Sequence, residues 1–548
     1  MPFMGLLKRR PEDRQQVSVI LKRQVPIRFD EKASSWLGGL PMMPELVKWP
    51  RDVVGAPLHF VAQISCADLP ADLWNGQGPR TGWLLFFIES IKFEDEAGSD
   101  LVRVLHITKL GPEREPPDDM PTVRHTMSDY IDYAKPNIRP GVPKLWRKWP
   151  IDLVTQTYGM DGDDEGFVPP SVSGEDLYSA PVSKRGFYGR NNFGIERPLT
   201  WRGALYYLEG VMRDLNASDF KRNFVGLSGL LGAPEADQNE FNEELRQRIE
   251  ANPACADRDV GWGPRVGVVT EKIKSELRAE RSKGWMKRSY VALDKKLARH
   301  EHWLAAYQAD IDAGLNTLED KVLKRLEEKA KDQLKLIEET NETRAYLDEL
   351  FASYPGADGE QKFNAEIKAM GEAHLAWGEE MAARAKSCLK NVRSKNLDDP
   401  ISTTDWQSIR EQFSEAKSVF WLKAESRVLA KVERGLSTDL HLPMAIREDL
   451  LDLYTRDANG LQALSQEQRD AFEHRLRYIE ENLPHRIGGH ANPVQGGTMP
   501  GHQLVIQLAT DKPMGWMWGD VGAIYVMMKP KDLKSMRFKN LYATLEGH

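Results

Sequence analysis

Residues 504–526 read LVIQLATDKPMGWMWGDVGAIYV, and this stretch decides how the C-terminal part of the chain folds. Two apolar runs suited to strands flank a segment in which Trp516 and Trp518 stand two residues apart. Residues two apart on a strand face the same side, so both indoles and Asp520 are predicted to line one face. That face is either an aromatic and acidic pocket or a packed core in which Asp520 caps a turn.

Short motifs rich in glycine, proline and aromatic residues occur at both ends of the chain. The C-terminal part also contains HRIGGHANPVQ at 485–495. The N-terminal part contains, in this order, SWLGGLP at 35–41, Trp49 with Pro50, PLHFVAQI at 57–64, and GWLLFFI at 82–88. Over residues 25–195 and 478–546 the order of these motifs resembles the YwqG-like family, a bacterial domain of unknown function numbered 1963. The resemblance implies one β-rich domain assembled from both ends of the chain.

The long segment between the two halves predicts an inserted helical domain. Short strands bounded by Pro, Gly or Asp fill the N-terminal part, whereas prolines are widely spaced between residues 264 and 484. We therefore expect an α+β protein. A discontinuous β-rich YwqG-like domain would cover 1–198 and 478–548, and a mainly α-helical insertion would cover 199–477. Insertion at a loop adds little closure entropy.

The insertion carries an apolar stripe typical of an amphipathic helix with coiled-coil character. The stripe residues are Ile311, Leu315, Leu318, Val322 and Leu326. One helix is predicted over 293–351 and a second over 362–394, the latter with apolar Phe363, Ile367, Met370 and Leu375. We expect them to form a long antiparallel hairpin through Tyr354, Pro355 and Gly356, because proline ends a helix and glycine permits reversal. This arm would contact a protein partner or a second copy of the chain, giving a homo-oligomer.

Two further helix starts are predicted by pairs of hydroxyl and amide residues. Thr404 with Gln407, and Ser465 with Gln468, match the capping box, in which each side chain satisfies the other residue's backbone N–H. The corresponding helices are predicted over 404–434 and 465–481. The second one would return the chain to the β-rich domain.

Composition and charge limit the partners and the compartment. A net charge of −7 and a pI near 6.0 give no general attraction to nucleic acid or anionic membranes. No run approaches the ~18 apolar residues of a membrane span, and no signal-peptide pattern is present. Cys66, Cys255 and Cys388 lack disulfide or zinc spacing, which fits a reducing cytoplasm. The basic and aromatic stretch 184–190 is interpreted as a loop that either contacts a partner or is merely exposed. We therefore expect a cytoplasmic protein that binds neither nucleic acid nor membranes.

Motifs for metals, cofactors and catalysis lack the required spacing. His485, His490 and His502 surround a glycine pair without the spacing of zinc ligands. The acidic loop 161–166 resembles the start of a calcium loop, but Val172 stands where the bidentate Glu belongs. P-loop, dinucleotide and G-x-S-x-G patterns are absent from the sequence. No metal and no cofactor is therefore predicted.

These observations favour a non-enzymatic protein-interaction or scaffold protein. Members of the family that it resembles are encountered near bacterial toxin and secretion loci, which implies a role in a toxin or effector system. The alternative is an enzyme or small-ligand-binding protein with a cleft that draws on both ends of the chain. The candidate pocket residues for a ligand or partner are Trp516, Trp518, Asp520, Gln495, His485 and Gln63. An open pocket would favour the alternative, and a packed core would weaken it.

Overall fold

The computed structural model divides into two compact units. One comprises Met1–Leu199 with Pro443–His548, and the other is Thr200–Leu442. The second boundary lies at 442/443, whereas the sequence predicted 477/478. The described residues are 15–89, 98–120, 137–139, 142–159, 172, 174–178, 193–216, 235–252, 272–274, 276–277, 284–314, 319–414, 417–422, 430–436, 438–479, 483–495, 501–538 and 540–547.

Within the described residues, the strands form one large sheet and two small hairpins. The strands are β1 (Gln15–Arg23), β2 (Trp36–Leu37), β3 (His59–Ser65), β4 (Trp83–Ile88), β5 (Val102–Ile107), β6 (Asn137–Arg139), β7 (Val142–Leu145), β8 (Trp149–Gly159), β9 (Lys417–Leu422), β10 (Ala430–Gly435), β11 (Arg486–Gly488), β12 (Gln503–Ala509), β13 (Ala523–Met528) and β14 (Leu541–Glu546). The large sheet has ten strands in the order β14-β13-β12-β11-β1-β8-β2-β3-β4-β5. The pairs β6–β7 and β9–β10 are separate.

Both ends of the chain contribute to the large sheet, in which all neighbours run antiparallel. Strand β1 pairs with β8 on one side and with the C-terminal β11 on the other. The two edges of the sheet also meet, because Gly98 and Ala543 exchange backbone hydrogen bonds of 2.9 and 3.0 Å. The sheet is therefore nearly a barrel. The predicted strands near 82–88 and 504–508 lie in this one sheet, which confirms the split β-rich domain and the α+β class.

The glycine pair of the N-terminal motif allows two segments to approach closely. Gly38 and Gly39 have φ values of +61° and +66°, which favour glycine. Their backbone N–H groups donate to the carbonyls of Val61 and Trp146, each at 2.8 Å. A Cβ at Gly38 would lie 2.0 Å from the carbonyl oxygen of Arg147. The motif is thus explained by backbone pairing directly after β2.

Helices make up most of the second unit. The helices in the described part of the chain are α1 (Gly174–Tyr178), α2 (Trp201–Asn216), α3 (Glu235–Glu250), α4 (Trp285–Gly314), α5 (Asp320–Ala352), α6 (Gly359–Arg393), α7 (Thr403–Ser414), α8 (Thr438–Arg456), α9 (Gln466–Leu476) and α10 (Pro530–Lys534). Helices α2 to α7 and the β9–β10 hairpin lie in the second unit, and α8 continues across the division. Among the described residues, no helix combines the length and apolar character that a membrane crossing needs.

Helices α4 and α5 form a long antiparallel hairpin, which is not the pair that the sequence predicted, namely a helix over 293–351 with one over 362–394. Near one end, the Tyr290 hydroxyl donates to Asp348 Oδ1 at 2.6 Å. Further along, His300 Nδ1 and Gln333 Oε1 lie 2.8 Å apart. The numbers rise on one helix as they fall on the other, so the two helices run in opposite directions.

The position of this hairpin corrects the prediction of one helix over 293–351. Helix α4 ends at Gly314 and α5 begins at Asp320, so the reversal lies there and not at Tyr354. Glycine has high backbone freedom and ends helices readily. Leu315 and Leu318 of the predicted stripe lie outside the described residues. The turn at Tyr354 instead joins α5 to α6, where its ring packs 4.8 Å from that of Phe363.

Of the two predicted helix caps, one is confirmed. Ser465 Oγ accepts the backbone N–H of Gln468 at 3.2 Å, and the Gln468 side chain accepts the backbone N–H of Ser465. Helix α7 is capped differently, because Ser402 Oγ accepts the backbone N–H of Asp405 at 3.0 Å. The helix predicted over 404–434 is wrong beyond Ser414. There the chain forms β9 and β10, with alternating buried and exposed residues at the start of β9.

Candidate functional site

The Trp-Met-Trp segment lies in the connection between β12 and β13, so the strand predicted there is wrong. Asp511 and Trp516 exchange two backbone hydrogen bonds of 2.9 Å, which close a tight loop. Trp516 is 0% exposed and Trp518 is 3% exposed. Asp520 follows them as an exposed residue. The two indoles and this carboxylate therefore do not share an open face.

The two tryptophans belong to a packed aromatic cluster. The ring of Trp146 meets that of Trp516 edge to face at 5.9 Å and that of Trp518 at 6.2 Å. His485 contacts Trp516 in the same manner at 5.3 Å. The Trp518 indole N–H donates to the Ala509 carbonyl at 3.0 Å. These edge-to-face contacts are typical of a hydrophobic interior.

Beside this cluster lies a buried ionic group that sequence reasoning did not single out. Asp511 Oδ2 accepts Arg23 Nε at 2.7 Å, and Asp511 Oδ1 accepts the backbone N–H of Met514 at 3.2 Å. Burial alone would raise the pKa of Asp511, but the Arg23 charge, the His485 hydrogen bond and the Met514 N–H hold that pKa below its usual value. Asp511 is therefore an ionised carboxylate that holds the loop against β1.

Both ring nitrogens of His485 are engaged in this group. Nδ1 accepts the backbone N–H of Ala509 at 3.1 Å, which assigns the proton to Nε2. Nε2 then donates to Asp511 Oδ2 at 3.0 Å. A general base or a metal ligand needs a free nitrogen lone pair, and the lone pair of this ring is occupied. His485 thus has a structural role in this arrangement.

The other candidate residues lie apart from this cluster. Gln63 is fully buried, and its Oε1 accepts the backbone N–H of Met42 at 2.9 Å, which ties the loop after β2 to β3. Gln495 is exposed, and its backbone N–H donates to Glu546 Oε2 at 2.9 Å. The structure brings Trp516, Trp518 and His485 together. It does not assemble the six candidates into one open cleft.

A small cavity lies next to the ionic group. Arg23, His485, Asp511 and Tyr178 are among its lining residues, and its volume is about 30 Å³. The Tyr178 hydroxyl donates to the Arg23 carbonyl at 3.2 Å, and burial raises the pKa of Tyr178 to about 12. A cavity of this size admits a water molecule and not an organic substrate.

A second buried ionic group joins the segment before β8 to helix α8. Arg147 is 1% exposed; its Nε donates to Asp452 Oδ1 at 2.9 Å, and its Nη2 donates to Glu448. Residues 448 and 452 are four apart, so the sequence alone predicts that they share one helix face. The sequence does not predict their pairing with Arg147, because more than three hundred residues separate it from them.

Metal and cofactor sites were not expected from the sequence. Within the part of the chain that the structure describes, no three His, Cys, Asp or Glu residues are arranged to hold a metal ion. The His485 ring offers no lone pair to a metal ion, because its two nitrogens bind Asp511 and the Ala509 backbone N–H. The acidic loop 161–166 and the basic stretch 184–190 lie outside the described residues.

A family model described as a domain of unknown function, DUF1963, matches the chain in two parts. The matched residues are 35–157 and 398–546. The gap between the parts coincides with most of the helical unit. The C-terminal part begins well before residue 478, where the sequence resemblance was expected to resume, and therefore includes α7 to α9 and the β9–β10 hairpin. No curated protein matches the chain.

Proposed function

Because the chain belongs to the YwqG-like DUF1963 family, for which no activity is described, we propose a function from its geometry. The protein would be a non-enzymatic protein-interaction or scaffold protein that uses the hairpin α4–α5. The observation that carries this proposal is the exposed apolar surface of the hairpin. Val291, Trp303, Val322 and Leu334 are 44%, 47%, 42% and 55% exposed. Exposed apolar side chains mark a protein-binding surface where they lie together in one patch, and the proposal takes these four side chains to do so.

Trp303 is the strongest anchor on this surface. Its ring stacks on Tyr307 at 5.9 Å with an interplanar angle of 25°. The ammonium group of Lys329, on the facing helix, lies 5.5 Å from the Tyr307 ring. A tryptophan held in one orientation loses little entropy on binding, and tryptophan is enriched among residues that dominate interface affinity.

The base of the hairpin accounts for its attachment within the second unit. Met286, Leu350 and Phe351 pack against a small core formed by Phe363, Ile367 and Trp421. The charged pairs further along, such as Arg344 with Asp294 at 2.5 Å, are largely exposed and contribute little to folding. The exposed apolar residues of the hairpin are not among the residues of this small core, which supports their role in binding a partner.

The partner would be another protein or a second copy of this chain, joined by coiled-coil-like packing. The family resemblance supports a bacterial protein associated with a toxin or effector system. Cys66 and Cys388 are both buried free thiols, which supports a reducing, cytoplasmic location. Neither nucleic acid nor a membrane is proposed as partner.

The alternative, an enzyme or ligand-binding cleft around Trp516, Trp518 and Asp520, has less support. Both indoles are buried, Asp520 is exposed, and both nitrogens of His485 are engaged. An open pocket that combines them would be needed for that chemistry.

The test compares exposed apolar residues on and off the hairpin. Trp303→Ala and Leu334→Glu should lower partner recovery or the light-scattering mass of a homo-oligomer, with unchanged thermal melts. Leu46→Glu is the matched control, because Leu46 is 97% exposed but lies outside the hairpin. If all three variants keep the wild-type assembly and partners, the hairpin is not the contact surface.

A further inference from the structure

A basic cleft lies at one end of the large sheet, remote in sequence from the hairpin. It forms where β12 begins, β13 ends and β14 begins, and the connection 529–540 borders it. Gln503 and Met528 are paired in register, so His502 and Lys529 lie at the same end of the adjacent strands β12 and β13. The cavity has a volume of about 430 Å³, which is the size of a small-molecule site.

The charges that line the cleft are mostly positive. Lys529, Lys531 and Arg537 contribute three full positive charges against one carboxylate, Asp532. Both lysines are exposed, and neither forms an ion pair with any residue that the structure describes. The net charge of the lining is therefore about +2, in a chain whose net charge is −7.

The carboxylate is committed to the structure of the connection. Asp532 is 4% exposed and accepts Asn540 Nδ2 at 3.1 Å. Its backbone carbonyl accepts the N–H of Arg537 at 2.8 Å. These bonds fix the path of the connection, so the basic residues can contact a ligand without a change in the backbone.

Arg537 is held in place while much of its guanidinium stays accessible. Its Nε donates to Ser535 Oγ at 2.8 Å, and its side chain is 57% exposed. The preceding residue, Met536, has φ +53°, a conformation that costs free energy in a non-glycine residue. Such backbone strain persists where surrounding hydrogen bonds hold the conformation, and here the hydrogen bonds of Asp532 hold it.

We infer that this cleft binds a small molecule that carries two or more phosphate groups. Lysine and arginine bind phosphate oxygens through charge-assisted hydrogen bonds, and two to three such cations balance an oligophosphate. The basic residues repel one another in the empty cleft, and a bound anion relieves this repulsion, which strengthens the binding of the anion. The ring of Tyr542, also in the lining, offers a surface on which a nucleobase can stack.

Two sources share this chemistry, inorganic polyphosphate and a nucleoside polyphosphate. Isothermal titration of the full chain with tripolyphosphate, ATP and adenosine separates them. We expect tripolyphosphate to bind with a dissociation constant on the order of 10–100 μM at low salt and more weakly as salt is added. Equal affinity for ATP indicates that the phosphate chain alone is recognised. Tighter ATP binding indicates a nucleotide ligand.

Matched lysine variants test the place of binding. Lys531→Gln should weaken tripolyphosphate binding roughly tenfold, and Lys529→Gln with Lys531→Gln should abolish it. Lys534→Gln is the control, because Lys534 lies on the same helix α10 but does not line the cleft. Thermal melts confirm that each variant is folded.

Three outcomes would overturn the inference. They are no binding of tripolyphosphate or ATP to the wild-type chain, adenosine binding as tightly as ATP, and equal weakening by Lys531→Gln and Lys534→Gln. The hairpin proposal is independent of all three, because it rests on residues of α4 and α5.

Discussion

Arg23 Nε lies 2.7 Å from Asp511 Oδ2, although 488 residues separate them in sequence. The pair joins the first strand of the sheet to the loop that contains the two buried tryptophans. Both side chains are less than a tenth exposed, and the guanidinium of Arg23 also lies 4.9 Å from the Trp149 ring. This contact therefore couples the two ends of the chain through a buried charge.

Stability should depend on Asp511 in a pH-dependent manner. The pKa of its carboxyl group in the folded state is held below its usual value, chiefly by the Arg23 charge against the opposing effect of burial. A lowered pKa contributes stability that is fully present above the unfolded value and is lost as pH falls through the folded value. Asp511→Asn should lower the unfolding free energy near pH 7 by about 3–5 kcal/mol, because Arg23 is left buried without its partner.

Urea denaturation at several pH values between neutrality and strong acid measures this effect. The difference in unfolding free energy between wild type and Asp511→Asn should shrink in strong acid, as the pH falls through the lowered pKa of Asp511. Asp520→Asn, an exposed carboxylate in the same connection, should follow the wild type. A difference that stays constant across the acid range would show that the Asp511 charge does not stabilise the fold.

The buried tryptophans should behave as core residues. Trp518→Ala should lower the unfolding free energy by about 3–5 kcal/mol, because it removes a large buried ring and the hydrogen bond to Ala509. Trp303→Ala, which removes a ring that is 47% exposed, should cost less than about 1 kcal/mol. Thermal or chemical melts compare the two. A mild effect of Trp518→Ala together with loss of binding would restore the ligand-pocket alternative.

Much of the β-rich domain could be predicted because its strands have local signals. The runs at 82–88 and 504–508 are apolar, short and bounded by turn residues. The break at Gly314 was missed because prolines alone were expected to end the helices, although glycine also ends them. Strand β9 was not predicted because its short alternation follows closely after the helix start that the sequence predicts at Thr404.

The buried ionic groups could not be predicted in the same way. No local period connects Arg147 with Asp452 or Arg23 with Asp511, because each pair forms only when distant strands and helices have packed. The Trp516 environment likewise depends on Trp146, which precedes it by hundreds of residues. Side-chain alternation places residues on a face of a strand, but it does not reveal which segment covers that face.

Arg486 is a buried cation whose replacement should be tolerated. It is 0% exposed, and its Nε and Nη2 find no acceptor among the described residues. Burial lowers the pKa of Arg486, which reflects the cost of its charge in this environment.

Arg486→Met should keep or raise the unfolding free energy, by up to about 2 kcal/mol. Arg147→Met is the contrast, since it strands two buried carboxylates and should cost about 3–5 kcal/mol. Equal losses in both variants would contradict this distinction.

Cys66 should be unreactive in the folded protein. It is fully buried, and burial raises the pKa of its thiol to about 12, so little thiolate exists at neutral pH. Peptide mapping after iodoacetamide treatment should find Cys66 unmodified in the native state and modified in urea. A synthetic peptide that contains residues 60–72 supplies the reactive control. Rapid labelling of Cys66 in the native protein would show that this part of the sheet opens.

The boundary of the helical unit decides which deletions the fold tolerates. Removal of 200–442, with a short Gly/Ser linker, should leave a folded first unit, because the ten-stranded sheet and the buried partners of Arg147 remain. Removal of 200–476 also deletes Glu448 and Asp452, which leaves Arg147 buried without a carboxylate. It further removes Tyr454, whose ring packs 5.8 Å from that of Trp149.

The longer deletion should therefore be less stable than the shorter one by at least about 3–5 kcal/mol, or fail to fold. Circular dichroism and urea denaturation of the two proteins measure the difference. Adding Arg147→Met to the longer deletion should recover part of the loss, because it removes the unpaired charge. Equal stability of the two deletions would show that α8 and α9 are not needed by the sheet, and would favour the boundary at 477/478 that the sequence predicted.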